Sequence, residues 1–356
     1  MTHTLTELES QFVSWHNTLT KLSEEKENLF RVLNNNKNQN HLFYGCGSSY
    51  NLALSFSYLW NCLHKTHSFA LPASEVILFP EIINNLSPTM VVPISRSGET
   101  SETILATDKL HSKGLKSLGI TCNSSSTLAK ITSTAITTSF IEEKSVVETV
   151  IFSALYLTGL FYILFLSEKE ALFKKIFLLP ENGKFFYQKT RDTIIKTTEK
   201  DYKQVFILGS GPYYGIARDS CLKIMEMSLL PTNAFNFLEF RHGPIASVGK
   251  DSLIIALLSS SNRSPETQVI NEVKKYGADT LVLDIDAYRL PEAESSLMNI
   301  PDMIRSIIYA PPIQLFACLY ALKRGLNPDH PPHLERVVNY DYIEPQIGVE
   351  NGIKNI

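Results

Sequence analysis

A chain of 356 residues with 44% hydrophobic and 19% charged side chains is long enough to build two ordinary domains with real cores. Its net charge of −3 excludes a global pull toward nucleic acid or an acidic membrane surface. Five scattered cysteines, Cys46, Cys62, Cys122, Cys221 and Cys318, form no CxxC pair and are odd in number. They argue for a reducing compartment and against a disulfide framework or a thiolate zinc site.

In chain order, residues 1–40 are polar and mixed in charge, with no basic stretch followed by an apolar one. They read as a helical lead-in, not a secretory leader. "HLFYG" from His41 has the pattern of a buried strand; it passes through Gly45-Cys46-Gly47 into a helical pattern. "MVVPI" is a second strand and ends in "SRSGET", residues 95–100; "LKSLGITC" is a third. "VIFSALYLTGLFYILFL", residues 150–166, is nearly all apolar but contains Ser153, Tyr156, Thr158 and Tyr162. It is about as short as a membrane span can be, and we expect a helix buried on most sides. The charged stretch 168–199 reads as a helical connector. "QVFILGSGPYYGIARDSCLKIMEMS" then repeats the strand–glycine–helix pattern, with Gly211 standing 164 positions after Gly47. A second pair repeats at nearly the same offset: "SRSGETSETILATDKLHSKG" matches "SNRSPETQVINEVKKYG", residues 261–277, and each is followed by another strand.

The chain therefore reads as two copies of one α/β unit, at 41–167 and 200–335, with a tail over 336–356. Strands alternating with helices predict parallel sheets with helices on both faces. Ligands bind such sheets at the carboxyl ends of strands, where helix N-termini offer N–H groups to a phosphate. The first copy has two strand-to-helix turns there, with Ser48 and Ser49 in one and Ser95, Ser97 and Thr100 in the other. Helix N-caps would account for any one of these hydroxyls. Five at two adjacent strand ends favour a phosphate site, with Arg96 as the nearby cation. In the second copy Pro265 takes the place of the glycine, so that copy is expected to hold phosphate less well. The pairs His64/His67 and His330/His333 lack acidic or sulfur partners, and no metal is expected.

"GCGSSYNLA", "SRSGETSET", "LKIMEMS", "EFRHGP" and "NPDHPPHLERVV" occur in one order. Together they resemble double sugar isomerase (SIS) domain proteins, and most of all the isomerase half of glucosamine-6-phosphate synthase. Stand-alone relatives include tagatose-6-phosphate type isomerases, deglycases and amino-sugar phosphate deaminases. The resemblance runs from about 40 to 338. It implies two tandem flavodoxin-like SIS domains and no cofactor. Phosphate binding falls on Ser49, Ser95, Arg96, Ser97 and Thr100, with Cys46, Gly47 and Ser48 lining the same turn and Val147 in the substrate-binding set. It implies Glu226 as the proton carrier, with Lys223 on the same helical face to steady the developing oxyanion. It implies His242 as the ring-opening group, entering from the neighbouring subunit of a homodimer. These types suit the chemistry: histidine moves a proton between oxygens near neutral pH, and one carboxylate serves two adjacent carbons.

Departures narrow the activity. The chain starts Met1-Thr2, with no N-terminal nucleophilic cysteine and no glutaminase domain. A Schiff-base lysine of the synthase falls on Arg336, which stays protonated. Its "VAST" segment reads "VVET" here, residues 146–149, which brings Glu148 near the substrate. We therefore expect a cytoplasmic aldose–ketose isomerase or amino-sugar phosphate deaminase. A deglycase or a non-catalytic sugar-phosphate sensor is the alternative.

Overall fold

The computed structural model describes residues 2–84, 89–288 and 300–337. The tail beyond 337, including Val338, lies outside the described residues. Two helices, α1 (His3–Glu24) and α2 (Lys26–Leu33), lead into β1 (Asn40–Gly45), α3 (Ser48–Leu63), β2 (Ser68–Pro72) and α4 (Ala73–Leu78). The first copy continues with β3 (Thr89–Ser95), α5 (Ser101–Ser112), β4 (Lys116–Thr121), α6 (Thr127–Ile131), β5 (Thr134–Thr137) and α7 (Val150–Leu166). After α8 (Glu170–Phe173) and α9 (Leu179–Thr198) come β6 (Gln204–Leu208), α10 (Tyr214–Ser228), β7 (Thr232–Phe235) and α11 (Phe237–Phe240). The last described elements are β8 (Ser252–Leu257), α12 (Arg263–Lys275), β9 (Asp279–Leu283), α13 (Asp302–Arg305) and α14 (Ala310–Lys323).

Every strand pairing is parallel. The first sheet has the order β2-β1-β3-β4-β5 and the second β7-β6-β8-β9. Helices cover both faces, so the central strands are apolar throughout: all of β3 and all of β8 are buried. In each sheet the order reverses once, between β1 and β3 and between β6 and β8. Side chains leaving the carboxyl ends of those strands face a crevice, the standard ligand position in this architecture.

The apolar helix α7 is buried at every residue but Phe165. Its polar groups are satisfied within the protein: Tyr156 meets Ser306 at 2.6 Å, and the Ser153 and Thr158 hydroxyls donate to Val150 and Ala154 carbonyls, each at 2.9 Å. A longer apolar helical run, Asp302–Lys323, has 89% of its most apolar window buried. Both are core helices. The polar lead-in is helical as expected, yet it is also a core element. Leu8, Phe12, Trp15, Leu19 and Leu22 of α1 are buried in the main core. The Asp329 carboxylate caps that helix, accepting from His3 N at 2.9 Å and Thr4 N at 2.8 Å.

The two copies form one body. A single apolar cluster contains Phe43 and Ile94 from the first sheet and Ile207 and Ile255 from the second. Helices α3 and α10 cross at Gly215, where a Cβ would lie 2.1 Å from the Ser55 hydroxyl and 2.6 Å from the Asn51 carbonyl. Only glycine permits that approach, and it sets the N-terminus of α3 beside the last turns of α10.

One core group ties stability to pH. His41 is buried, stacks on Trp60 at 3.5 Å, donates Nδ1–H to the Gln39 carbonyl at 3.1 Å and meets Tyr162 Oη at 2.7 Å. Burial pushes its pKa down to about 3, so it folds neutral. In the unfolded chain it protonates near its ordinary 6.5, so stability is present above that pH and is lost as pH falls. Wild type should lose ~2 kcal/mol more than His41→Gln between pH 6.5 and 5, read from urea unfolding curves. Equal losses in the two proteins would remove the role.

Candidate functional site

At the first sheet's switch point the chain makes two turns. After β1, Cys46 and Gly47 lead into α3, with Ser48 and Ser49 buried in its first turn. After β3, the buried Ser95 hydroxyl accepts from Gly98 N at 3.1 Å and meets Thr100 Oγ1 at 3.2 Å. Ser97 Oγ accepts from Glu99 N at 3.1 Å. Ser97 shapes the turn through a lone pair, which leaves its O–H to donate elsewhere, while one of the Ser95 and Thr100 hydroxyls donates to the other and leaves one O–H between them. Gly98 is required: its φ is +67°, and a Cβ would lie 2.2 Å from Ser126 Oγ.

Across the crevice, α10 brings a buried ion to the first turn. Lys223 Nζ donates to Ser48 Oγ and to Glu226 Oε2, each at 2.9 Å. The lysine side chain is 1% exposed and that of Glu226 15%. Burial opposes the ammonium, but Glu226, Asp219 and Glu148 outweigh it and raise its pKa. Asp219 is buried one turn before Lys223, and its Oδ1 has no hydrogen-bond partner. Burial pushes its pKa up to about 6, against the pull of Lys223 and Ser48. Sequence reasoning missed Asp219, although its position four before Lys223 puts both on one helical face.

The loop before α7 supplies the other wall. Arg96 donates through Nη1 to the Val146 carbonyl at 2.9 Å and through Nη2 to the Arg336 carbonyl at 3.0 Å. Its Nε lies 3.2 Å from Glu148 Oε1, and Nη1 lies 3.8 Å from Glu143 Oε2. The guanidinium expected beside a phosphate is thus turned toward carboxylates and carbonyls. Glu143, also missed, caps α7 by accepting from Thr149 N at 2.6 Å and Val150 N at 2.8 Å. Burial pushes its pKa up to about 7, against those hydrogen bonds and Arg96. Arg336 donates to the Glu143 carbonyl. Arg96, Ser97, Cys122, Glu143, Lys144 and Arg336 border a cavity of about 570 Å³. A hollow of about 650 Å³ at Lys26, Phe165 and Phe177 is larger but touches neither turn.

The remaining expected residues are placed as follows. The Val147 side chain is buried in the main core. Burial pushes the Cys46 thiol up to about 11, so it is protonated at neutral pH and serves as a turn residue. His242 is exposed on the turn between α11 and Pro244. His64 donates Nε2–H to the Ile163 carbonyl at 3.0 Å, and His67, His330 and His333 are exposed.

The SIS domain profile matches residues 35–167 and 200–317. The chain belongs to the SIS domain family. It is 26% identical over 314 residues to a glutamine–fructose-6-phosphate aminotransferase [isomerizing] of Pyrococcus horikoshii, covering 83% of this chain and 51% of that protein. The Fusobacterium nucleatum enzyme of the same name is 27% identical over 312 residues, with the same coverage. This SIS chain spans about half the length of the curated relatives it matches. Among solved structures it is similar to a glucosamine-6-phosphate deaminase from Thermotoga maritima, with TM-score 0.78, 29% identity, and 95% and 99% of the two chains covered. It shares its fold with tagatose-6-phosphate ketose/aldose isomerase from Escherichia coli, with TM-score 0.80, 18% identity, and 93% and 97% covered.

Lys223→Met removes the cation shared by Asp219 and Glu226 and leaves a buried carboxylate unpaired. The cost should be about 3–5 kcal/mol at pH 7 in urea unfolding. Asp219 already folds with a pKa above its unfolded value, so its ionisation lowers stability as pH rises through about 4 to 6. The deficit of Lys223→Met should therefore shrink as pH is lowered to 5. A deficit independent of pH would show that the lysine acts by packing alone.

Proposed function

We propose that this chain acts on a 2-amino-2-deoxyhexose 6-phosphate, moving a proton from C2 to C1 and releasing ammonia. The observation that carries this reading is the Lys223 bridge, which fixes the helix bearing Glu226 against a hydroxyl-lined turn at the switch point. The full-length likeness to a glucosamine-6-phosphate deaminase supports the amino sugar. So does the charge of the site. Asp219, Glu143, Glu148 and Glu226 gather there, and Asp219, Glu143 and Glu148 each keep a buried oxygen without a hydrogen-bond partner. Such a surplus of acceptors suits a substrate ammonium better than a hydroxyl.

On this reading the phosphate lies between the N-termini of α3 and α5, held by Ser49, Ser95, Ser97 and Thr100 and by the helix dipoles. Arg96 acts from behind, keeping Val146, Glu148 and Arg336 in place. His242 of a neighbouring copy opens the sugar ring. Glu226 takes the proton from C2, the C1 oxygen gains one, and the resulting enolamine receives the proton back at C1. The C2 imine is then hydrolysed by water to ketose phosphate and ammonia. Lys223 is enclosed by Ser48 and Glu226, so its part is to hold the Glu226 carboxylate in place and aim it, not to meet the substrate oxyanion.

The test is a panel of hexose 6-phosphates with and without the 2-amino group, following ketose and ammonia together. Equal release of both from the amino sugar is expected. Ketose without ammonia from an unsubstituted aldose would make the chain a plain isomerase, and binding without turnover would make it a sensor. On the active substrate, Glu226→Gln should lower kcat by roughly two to four orders of magnitude with little change in KM. Ser97→Ala should chiefly raise KM. Near-normal kcat in Glu226→Gln would end the mechanism.

The shared site has its own check. Glu226→Gln and His242→Asn proteins, each inactive, should regain part of the activity when mixed after subunit exchange. No recovery, with exchange confirmed, would place His242 outside the neighbour's pocket.

A further inference from the structure

The second sheet has its own switch point, and what lies there was not legible in the sequence. Ser259 sets the register: its hydroxyl accepts from Asn262 N at 3.1 Å, as Ser95 accepts from Gly98 N at 3.1 Å. Ser95 and Ser259 stand 164 positions apart, like Gly47 and Gly211. In this register Tyr213 takes the place of Ser49, Ser260 that of Arg96 and Ser261 that of Ser97. Asn262 matches Gly98, so the pairing of Pro265 with that glycine is corrected by three positions.

These counterparts converge on one carboxylate. Asp302 Oδ1 accepts from Ser260 N at 3.0 Å and from Tyr213 Oη at 2.8 Å. Asp302 Oδ2 accepts from Ser261 N at 3.0 Å and from the Ser261 hydroxyl. Arg305 Nη2 adds a charged donor to Oδ1 at 2.8 Å. Arg305 is 3% exposed and is itself fixed by Asp286 at 2.7 Å and by Tyr213 Oη at 3.2 Å. Burial raises the Asp302 pKa, but the Ser260 and Ser261 donors outweigh it and hold the carboxyl below its usual range. A cavity of about 210 Å³, lined by Ser210, Tyr213, Ser259, Ser261 and Asn262, adjoins the carboxylate.

We propose that this is a second phosphate cradle, retained from the repeat and filled by the chain's own Asp302. The carboxylate stands where the first copy takes a phosphate monoester, so each chain binds one sugar phosphate and not two. The cradle keeps the donors of an oxyanion site: two backbone N–H groups at a helix N-terminus, two hydroxyls and a buried guanidinium. Without the carboxylate it takes a free phosphate dianion. The proposal rests on the phosphate reading of the first copy only for the count of one.

Inorganic phosphate is the probe, measured by equilibrium dialysis against the full chain. Asp302→Ala should bind one phosphate more than wild type, and Ser97→Ala/Asp302→Ala should keep that extra one. Asp302→Asn fills the cradle without charge and should gain none. Adding Ser261→Ala to Asp302→Ala should weaken the extra phosphate about tenfold. If Ser97→Ala alone leaves binding unchanged, the first-copy assignment fails while this one stands. If Asp302→Ala gains no phosphate, or gains one indifferent to Ser261→Ala, the cradle is overturned. Should Asp302→Ala not fold in phosphate-free buffer, recovery by phosphate but not by chloride of equal ionic strength supports the proposal. No recovery with either overturns it.

Discussion

A buried ammonium cannot stand alone, and the arrangement of this molecule follows from that constraint. Lys223 is 1% exposed, and its partners come from both copies: Ser48 from the first, Glu226 from the second, each at 2.9 Å. Glu226 and Asp219 travel with the lysine on α10, so pulling the copies apart would cost the Ser48 hydrogen bond and the attraction of Glu148, and these tie one repeat to the other. The Gly215 crossing makes the contact possible by letting α10 approach α3 closely. A turn suited to phosphate and a carboxylate suited to proton transfer are therefore held at one fixed separation. Remote binding energy can position reacting carbons against a base only when the frame between them is stiff.

What the sequence disclosed followed burial. The central strands β1, β3, β4, β6 and β8 are covered on both faces, so they wrote apolar runs that could be read directly. The short edge strands "SFALP", "TAIT" and "TNAF" mix polar residues with apolar ones and gave no such signal. In α1 the overall polarity hid a stripe at Leu8, Phe12, Trp15, Leu19 and Leu22, whose spacing of three and four is that of one helical face. At the site, residue types and local spacing were readable, as with Lys223 and Glu226 on one helix. Partners distant in sequence were not. Nothing near "SRSGET" indicates that the arginine reaches Glu143 and Glu148, about fifty positions on, and two carbonyls besides.

The repeat shows how one architecture yields two chemically different crevices. Both switch points present the same elements: a strand-end turn with a left-handed glycine, a serine bonded to the N–H three residues on, and a helix N-terminus. In the second crevice a carboxylate from the same chain meets those donors. In the first, Ser49, Ser95, Ser97 and Thr100 face the substrate end on the proposed reading. An internal carboxylate bound at the positions matching Ser49 and Ser97 in the repeat supports the proposed anion site in the first copy, because both turns share the serine bonded to the N–H three residues on.

Among the described residues, no guanidinium of the first copy is aimed at the proposed phosphate position as Arg305 is aimed at Asp302. Arg305 points into its cradle, whereas Arg96 points away from its own and spends its hydrogen bonds on Val146 and Arg336. A phosphate between α3 and α5 would then be met by hydroxyls and helix dipoles, which hold a dianion less tightly than a fixed cation does. On the proposed reading the product bears the same phosphate, and a weaker grip favours its release. It leaves Arg96 to tie the turn to the loop that carries Glu143 and Glu148. The backbone that flanks Ser95 and Ser97 therefore also carries the side chain that fixes the opposite wall. On the proposed reading, phosphate occupancy and the placement of those carboxylates meet in a single residue of the motif.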